Sequence, residues 1–414
     1  MTTSPPRPRA KTKSVPSPSP LPDSHGPAAV VAVKRLFAAE TGNYFLLLGT
    51  TLFLVVFGLI MVLSSSAVES FKASGDFFNG FVRQVVFATI GVPLMLIAAR
   101  MRASFWKRWS GIFLLMALGL QFLTVATPLG HDRGGNRNWI TIGSFSGQPS
   151  EFVKVSLVIW LGYILFKKRE VMDNWRQLVV PLVPIGGAAV GLVLLGGDLG
   201  TSIILTAIVM GAIFFAGVKL RFLGVPIVLI GIAGAIAASA RSSRQDRIQA
   251  FLSGCKSADD HLGKCWQTVH GWWALASGGL FGSGLGNSKA KWSWLPEADN
   301  DFIFAIIGEE LGLLGAILVL ALFVVLAIAF VRIIRASTDP FARVTVSAVM
   351  VWIVGQAFVN IAVVLGILPV LGVPLPLISA GGSALVTSLI GIGIVLSFAR
   401  RAPDVTTATG SRLK

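Results

Sequence analysis

Several ionisable residues lie inside or beside long apolar runs, where a charge is costly and by default indicates function. Asp301 begins the run DFIFAIIGEELG, and Glu309 and Glu310 follow it about two turns deeper. Glu151 and Lys154 lie three residues apart in a second run. Because a carboxylate in a partly apolar cavity has a raised proton affinity, it can act as a general base. The pattern therefore predicts a polar cavity in which a carboxylate accepts a proton.

Basic residues accompany these acids. Arg137, Arg244 and Arg247 lie in polar loops, and Asp198 interrupts the apolar stretch 178–217. Guanidinium groups bind phosphate oxygens in a bidentate manner. A cavity that is lined by such groups and opens sideways to lipid suits a substrate with an anionic head and a lipid tail. Taken alone, the residues predict an outward site for an anionic lipid and do not identify a reaction.

Each of these charges also has a purely structural interpretation. Asp198 precedes Leu-Gly-Thr and suits a helix N-cap. Asp301 lies where the helix dipole favours an acid. Glu151 and Lys154 have the spacing of an ion pair on one helix face. Their concentration at one membrane face favours a shared cavity over independent caps.

The composition predicts that lipid is the solvent for most of the chain. Of 414 residues, 54% are hydrophobic and 13% are charged, whereas a soluble domain is about a quarter charged. Apolar runs of spanning length recur about ten times, and each must be helical because lipid cannot satisfy a free backbone amide. The predicted spans are 43–63, 81–99, 106–126, 151–167, 178–196, 199–217, 222–240, 301–331, 342–368 and 376–398. The predicted fold is an all-α polytopic membrane protein of about ten transmembrane helices.

The remaining segments define the domain organisation. Residues 1–42 are rich in proline, serine and basic residues, which predicts a disordered cytoplasmic tail. Residues 43–400 form the membrane domain, and 401–414 form a second cytoplasmic tail. The large polar loop 241–300 separates the seventh span from the eighth, and its tryptophans predict a short amphipathic helix at the membrane interface.

The net charge of +16 follows from topology. Lysine and arginine concentrate in alternate segments between the spans, so the positive-inside rule places both termini in the cytoplasm and loop 241–300 outside the cytoplasmic membrane. Nucleic acid is not an expected partner, because the chain has no soluble domain in which basic and aromatic residues interleave.

The two cysteines, Cys255 and Cys265, both fall in the large loop. If that loop faces outward, a disulfide can form between them, and two free thiols are the alternative. Their spacing with histidine does not match a zinc site.

Six segments carry distinctive motifs. In chain order they are IMVLSSSA (60–67), GNRNWITIGSFSGQPSEFVKVSL (135–157), GGDLGTS (196–202), RQDRIQAFL (244–252), ASGGLFGSGLGNSKAKWSWLPEADNDFIFAIIGEELG (276–312) and QAFVNIAVVLGILPVLGVPLPLISAGGSALV (356–386). The set resembles the SEDS family of peptidoglycan glycosyltransferases (shape, elongation, division and sporulation) over nearly all of residues 43–400. One such motif is a weak signal, whereas the ordered set is specific.

The resemblance implies a fold, a reaction and a catalytic residue. Asp301, the aspartate of the L-P-E-A-x-x-D element, would be the general base of a glycan polymerase with the SEDS fold. The substrate would be lipid II, a disaccharide-pentapeptide on undecaprenyl pyrophosphate. A flippase or transporter for the same lipid is the alternative function.

The resemblance also implies substrate-binding residues. The candidates for holding pyrophosphate are Lys154, Arg137, Arg244 and Arg247. Four further candidates, from the motifs and the large loop, are Glu151, Asp198, Gln267 and Glu297, of which Glu297 has a structural alternative and Gln267 an interfacial one. The last group is Ser379, Gly381, Gly382 and Ser383, which suit either an anion-binding turn or close helix packing.

Cofactors and partners follow from the same resemblance. A divalent cation, Mg²⁺ or Mn²⁺, is a candidate for sharing the pyrophosphate charge, although the sequence shows no dedicated cage. The expected partners are a class B penicillin-binding protein, which is a transpeptidase, and other membrane proteins of the division machinery. The L-P-E-A form and both tails favour the division branch of the family, and hence the septum, over the elongation branch.

Four departures from the family pattern leave Asp301 unchanged and bear on the contacts around it. They are Gly197 in place of proline, the additional Asn138, Asp299-Asn300 in place of His-Thr, and Ala380 in place of tyrosine.

Overall fold

The computed structural model describes residues 41–133, 135–143, 145–171, 175–219, 231, 234, 242–255 and 263–400. The helices within these ranges are α1 (Gly42–Ser74), α2 (Asn79–Arg100), α3 (Ala103–Ala126), α4 (Pro149–Lys167), α5 (Trp175–Leu195), α6 (Leu199–Phe215), α7 (Ser242–Ser253), α8 (Trp266–Gly278), α9 (Ile303–Ala336), α10 (Pro340–Met350), α11 (Gln356–Val364) and α12 (Gly382–Ala399). A π-helical turn, Val351–Gly355, joins α10 to α11.

Seven helices in the described part of the chain are long and apolar enough to cross a membrane. They are α1, α2, α3, α4, α9, α12 and the continuous segment Pro340–Val364. The apolar parts of α5 and α6, Val180–Leu195 and Leu199–Phe215, are shorter. The polytopic helical fold is therefore confirmed. Apart from residues 231 and 234, the predicted span 222–240 lies outside the described residues, and so do the predicted tails apart from Thr41 and Gly42.

The break that was predicted between the fifth and sixth spans is present. Helix α5 ends at Leu195, and Gly197 takes the left-handed φ of 100°. Asp198 then caps α6 by accepting a hydrogen bond from the Thr201 amide at 2.8 Å. Because proline is restricted to φ near −65°, it cannot adopt this conformation. The replacement of proline by Gly197 thus matches the turn that this chain makes.

A small antiparallel sheet between α3 and α4 was not predicted. Its strands are β1 (Gly130–Arg133), β2 (Asn136–Ile142) and β3 (Phe145–Gly147), with β2 in the centre. Asn138 of β2 is fully buried, where its side chain pairs with Gln121 of α3 and donates to the Val193 carbonyl at 3.3 Å. The additional asparagine therefore ties the sheet to two helices.

Helix α9 is interrupted at Gly312, whose φ is 68°. The preceding glycine-rich loop fills the break, because the amides of Ser283 and Gly284 donate to the carbonyls of Glu309 and Glu310 at 2.9 and 3.0 Å. A helix break within a membrane protein is tolerated when neighbouring groups satisfy the freed backbone. The loop that leads to Asp301 is thereby anchored on α9.

The carboxylates of Glu309 and Glu310 reinforce the same anchor. Lys291 pairs with Glu310 at 3.1 Å, and Ser64 of α1 donates to Glu310 at 2.6 Å. Glu309 accepts from the Lys289 amide at 2.9 Å and from the Ser288 hydroxyl. Both glutamates are buried, so in this structure they act as structural partners of the loop.

Candidate active site

The segment Leu295–Asp301 forms a compact turn before α9. Glu297 has a left-handed φ of 54°, and its carbonyl accepts from the amides of Asn300 and Phe302, each at 3.1 Å. Its side chain also accepts from the Asn300 amide group at 3.1 Å. These contacts fit the predicted structural role of Glu297. Since α9 begins at Ile303, Asp301 lies in the turn and not in the span itself.

Distant segments hold this turn by its backbone. Asn360 of α11 donates to the Asp301 carbonyl at 2.8 Å and to the Val373 carbonyl at 2.7 Å. The Ser379 hydroxyl donates to the Asn300 carbonyl at 2.7 Å, and the Ala380 amide donates to the Asp299 carbonyl at 2.8 Å. The Ala380 contact uses only the backbone, so the replacement of tyrosine at this position leaves it intact.

Gln84 of α2 holds the other side of the 379–381 segment. Its amide group donates to the Ser379 carbonyl at 3.1 Å, and its side-chain oxygen accepts from the Gly381 amide at 3.2 Å. Sequence reasoning missed both Gln84 and Asn360, because only ionisable residues in the spans were considered. Buried polar amides within apolar runs were the available signal.

Asp301 has a proton affinity suited to a base. Burial, followed by the negative charge of Glu297, raises its pKa to about 7 against the opposing effect of Arg247. The neighbouring carboxylates of Asp198 and Asp299 also favour the protonated form. A general base is most effective when its pKa is near the working pH. The site can therefore take up a proton at neutral pH.

Asp299 has a related environment. Burial, together with the negative charges of Glu69 and Glu297, raises its pKa to about 6. Glu69 belongs to α1, which shows that this end of α1 also borders the site.

Arg247 lies near Asp301 across Gly372. A methyl group placed on Gly372 would lie 3.4 Å from Asp301 Oδ2 and 3.8 Å from Arg247 Nη1. Gly372 has a left-handed φ of 71°, and its lack of a side chain leaves room for both groups. Arg244, one turn away on α7, donates to the Gly197 carbonyl at 2.7 Å. The basic segment is thus tied to the turn that precedes Asp198.

The Glu151–Lys154 pair lies deeper in the protein. Lys154 Nζ is 2.8 Å from Glu151 Oε1 and donates to Gln356 Oε1 at 3.1 Å. Both side chains are almost fully buried, and Thr387 donates to the second Glu151 oxygen at 3.2 Å. The predicted intrahelical pair is present, and the substrate-binding role of both residues stays a prediction.

The other predicted residues are distributed around the site. The Gln148 side chain donates to Asp198 Oδ2 at 2.7 Å, and the Gln148 backbone amide donates to Ser383 Oγ at 3.1 Å. A Cβ on Gly382 would overlap the ring of Phe87, and the Gly381 amide is used by Gln84. These contacts favour close packing for the 379–383 segment over an anion-binding turn.

Two predicted residues lie towards the edges. Arg137 is exposed on β2 and donates to the Thr127 carbonyl at 2.9 Å. Gln267 of α8 donates to the Pro296 carbonyl at 3.2 Å and so contacts the Leu295–Asp301 turn. Helix α8 corresponds to the helix predicted in the large loop, and a disulfide joins Cys255 to Cys265 at its beginning.

The described residues contain no group of three or more histidine, cysteine, aspartate or glutamate side chains placed to hold a metal ion. The acidic residues around Asp301 therefore do not form a protein cage for a divalent cation.

The fold and the site define a multi-pass helical membrane protein with a buried aspartate, Asp301, whose pKa is about 7 and which lies near Arg247. A family model described as a cell cycle protein, covering FtsW, RodA and SpoVE, matches residues 44–403. The chain belongs to this family, which is the SEDS family that its motifs indicate.

Named relatives agree with this assignment. The chain is 37% identical over 366 residues to the probable peptidoglycan glycosyltransferase FtsW of Mycobacterium tuberculosis, which covers 88% of this chain and 69% of the relative. It is 36% identical over 364 residues to the stage V sporulation protein E of Bacillus subtilis, with coverage of 87% and 98%.

Solved structures share the fold. A chain from a peptidoglycan synthase complex that coordinates polymerization and crosslinking matches with a TM-score of 0.69 at 22% identity, over 85% of this chain and 96% of that chain. The rod shape determining protein RodA of Thermus thermophilus matches with a TM-score of 0.64 at 24% identity, over 88% and 98%.

Proposed function

We propose that this chain is a peptidoglycan glycosyltransferase that polymerises lipid II into β-1,4 glycan strands during septal wall synthesis. The names of its relatives support the reaction class. The observation that carries the proposal is Asp301, a carboxylate with a pKa of about 7 that lies near Arg247. Asn360 of α11 holds its carbonyl, and the 379–381 segment holds the backbone of Asp299 and Asn300 just before it.

The proposed reaction is a displacement at one sugar carbon. Asp301 takes the proton from the 4-hydroxyl of the acceptor GlcNAc as that oxygen bonds to C1 of the donor MurNAc. The bond from C1 to the pyrophosphate oxygen breaks, and undecaprenyl pyrophosphate leaves with the electron pair. An α-linked donor thus becomes a β-1,4 bond by inversion. In the proposed reaction Arg247 stabilises the negative charge that develops on the leaving group.

The other binding assignments are proposals of the same kind. Arg137, Arg244 and Lys154 remain candidates for contacts with the pyrophosphates. A divalent cation is proposed only as a companion of the substrate, because the described residues offer it no cage, and no step is assigned to it.

The proposed topology places both termini in the cytoplasm and the Asp301 end of the bundle outside the membrane. A class B penicillin-binding protein is the proposed partner, and the likeness to a chain of a peptidoglycan synthase complex supports it. Other membrane proteins of the septum complete the proposed assembly.

Purified chain, with and without that partner, tests the proposal on lipid II in detergent. We expect glycan strands that electrophoresis resolves as a ladder. If no strands form while lipid II crosses the membrane of vesicles that contain the chain, the alternative of a lipid II flippase replaces the polymerase.

The pH dependence tests the state of Asp301. Because the base must be ionised, kcat/KM is expected to rise with pH through about 7 and then to level off. Glu297→Gln removes a negative neighbour while keeping a hydrogen-bond acceptor, so it should lower the pKa of Asp301 and move the acid limb to lower pH. Glu170→Gln, an exposed change elsewhere, is the control. An acid limb that Glu297→Gln leaves in place would contradict the assignment.

Gln84 is expected to position the turn Leu295–Asp301, which carries the proposed base and is termed the catalytic turn. Gln84→Leu leaves the Ser379 carbonyl and the Gly381 amide without their partner, which loosens the segment that holds Asp299 and Asn300. Small displacements of a catalytic group can cost about 100-fold in rate, so we expect kcat to fall by about 10- to 100-fold with a smaller change in KM. Thr89→Val, an exposed change on the same helix, should retain wild-type kcat. Equal kcat values for the two variants would rule out a positioning role.

A further inference from the structure

A cavity lies beside the catalytic turn, between α7, α8 and the segment after α11. Its volume is about 140 Å³. Arg247 borders it from α7, whereas Lys264, Gln267, Thr268 and Trp272 border it from the α8 side. A space of this size can hold several water molecules or one small polar group.

The described residues that line the cavity offer hydrogen-bond donors and no carboxylate. Arg247 and Lys264 bring two positive charges, and Thr268 brings a hydroxyl. Guanidinium, ammonium and hydroxyl groups all donate hydrogen bonds to oxygen anions, so an oxygen-rich anion would complete this lining.

Two weak interactions hold Lys264 at the cavity. Its Nζ lies 2.8 Å from Asp246 Oδ1 and donates to Gln249 Oε1 at 2.7 Å. The Lys264 and Asp246 side chains are both exposed by nearly half, and an exposed ion pair contributes little energy. The ammonium group can therefore turn towards an anion at small cost.

Two contacts connect the cavity to the catalytic turn. Arg247 borders the cavity and also lies near Asp301 across Gly372. Gln267 borders the cavity and donates to the Pro296 carbonyl at 3.2 Å. A group bound in the cavity therefore lies close to Asp301, although Asp301 itself does not line the cavity.

The disulfide closes one wall of the cavity. Cys255 lies in that wall just after α7, and Cys265 directly precedes α8. Both are buried. The bond joins the element that carries Arg247 to the element that carries Gln267, Thr268 and Trp272, and so maintains their spacing.

We propose that this cavity is an oxyanion subsite, which binds a phosphate or carboxylate group of a substrate and whose shape depends on the Cys255–Cys265 bond. The identity of the substrate rests on the proposed function. Within it, the anion is either the pyrophosphate of the lipid-linked sugar or a carboxylate of the pentapeptide.

Calorimetric titration of the full chain in detergent tests the subsite with two probes, inorganic pyrophosphate and the lipid-free disaccharide-pentapeptide. We expect one probe to bind, and its identity assigns the anion. Lys264→Met should weaken that binding by about tenfold, whereas Lys264→Arg should retain most of it. Lys167→Met, an exposed lysine change on α4, is the matched control. The inference is wrong if neither probe binds, or if Lys264→Met binds as wild type does.

Asp301→Asn separates this inference from the proposed function. The variant should lose polymerisation and keep the affinity for the probe, because Asp301 does not line the cavity. If wild type binds the probe but makes no strands, and Lys264→Met loses probe binding, the subsite is supported and the polymerase is rejected. If wild type makes strands but binds neither probe, the polymerase is supported and the subsite is rejected.

Reduction tests the role of the disulfide. Complete reduction, verified by mass, and the double variant Cys255→Ser/Cys265→Ser should both weaken probe binding. The helix content, measured by circular dichroism, should not change, because the membrane helices remain folded. Unchanged affinity in both samples would overturn the dependence on the bond.

Discussion

Asp301→Asn is expected to lower the rate of strand formation by about 10²- to 10⁴-fold, the usual contribution of a general base. Asparagine is nearly the same size as aspartate and leaves the backbone bond to Asn360 in place, but it cannot take the proton of the acceptor hydroxyl. The loss should appear in the rate constant of the chemical step, measured from the consumption of fluorescent lipid II under single-turnover conditions. Binding of lipid II should change little.

The matched control is Asp299→Asn, the same chemical change two residues earlier. Asp299 holds the 379–381 segment through its backbone carbonyl, which the substitution retains. We therefore expect Asp299→Asn to keep most of its activity and a wild-type melting temperature. If Asp301→Asn is as active as Asp299→Asn, another group is the base and the mechanism is wrong.

Lys154→Met is expected to destabilise the protein by about 3–5 kcal/mol, because it leaves the buried Glu151 carboxylate without its ion partner. Methionine has a similar volume, so a cavity contributes little to the loss. The effect should appear as a lower melting temperature in detergent. Lys167→Met, a change at an exposed position on the same helix, should leave the melting temperature at the wild-type value.

The double variant Glu151→Gln/Lys154→Met distinguishes pairing from substrate binding. Glutamine has no charge to compensate and can still accept from Thr387, so the double variant should recover most of the lost stability. If Lys154→Met instead keeps the wild-type melting temperature and raises KM, the lysine contacts substrate and its pairing is secondary.

Parts of the site followed from sequence because their causes are local. The cap by Asp198 and the Glu151–Lys154 pair need only a helix and a spacing of three residues. The break between α5 and α6 needs only a glycine that accepts a left-handed φ. Each was predicted, and each is present in the structure.

Other parts could not be predicted because they depend on which segments meet. Asn360 contacts Asp301 across 59 positions of sequence, and Gln84 contacts Ser379, whose segment holds the catalytic turn, across 295 positions. The sheet around Asn138 was missed because its strands are short and its partners lie on α3 and α5. No periodicity in the sequence reports such pairings.

The sequence by itself determined that the chain crosses a membrane many times, belongs to one family and carries Asp301 in a distinctive motif. The reason is that lipid imposes a helix on every apolar run, so hydropathy and motif order are sufficient. Only the tertiary structure decided the environment of Asp301: its burial, its nearness to Arg247 and Glu297, and the backbone bonds that fix it. These depend on packing between distant segments, and proton affinity is set by that packing and not by residue type alone.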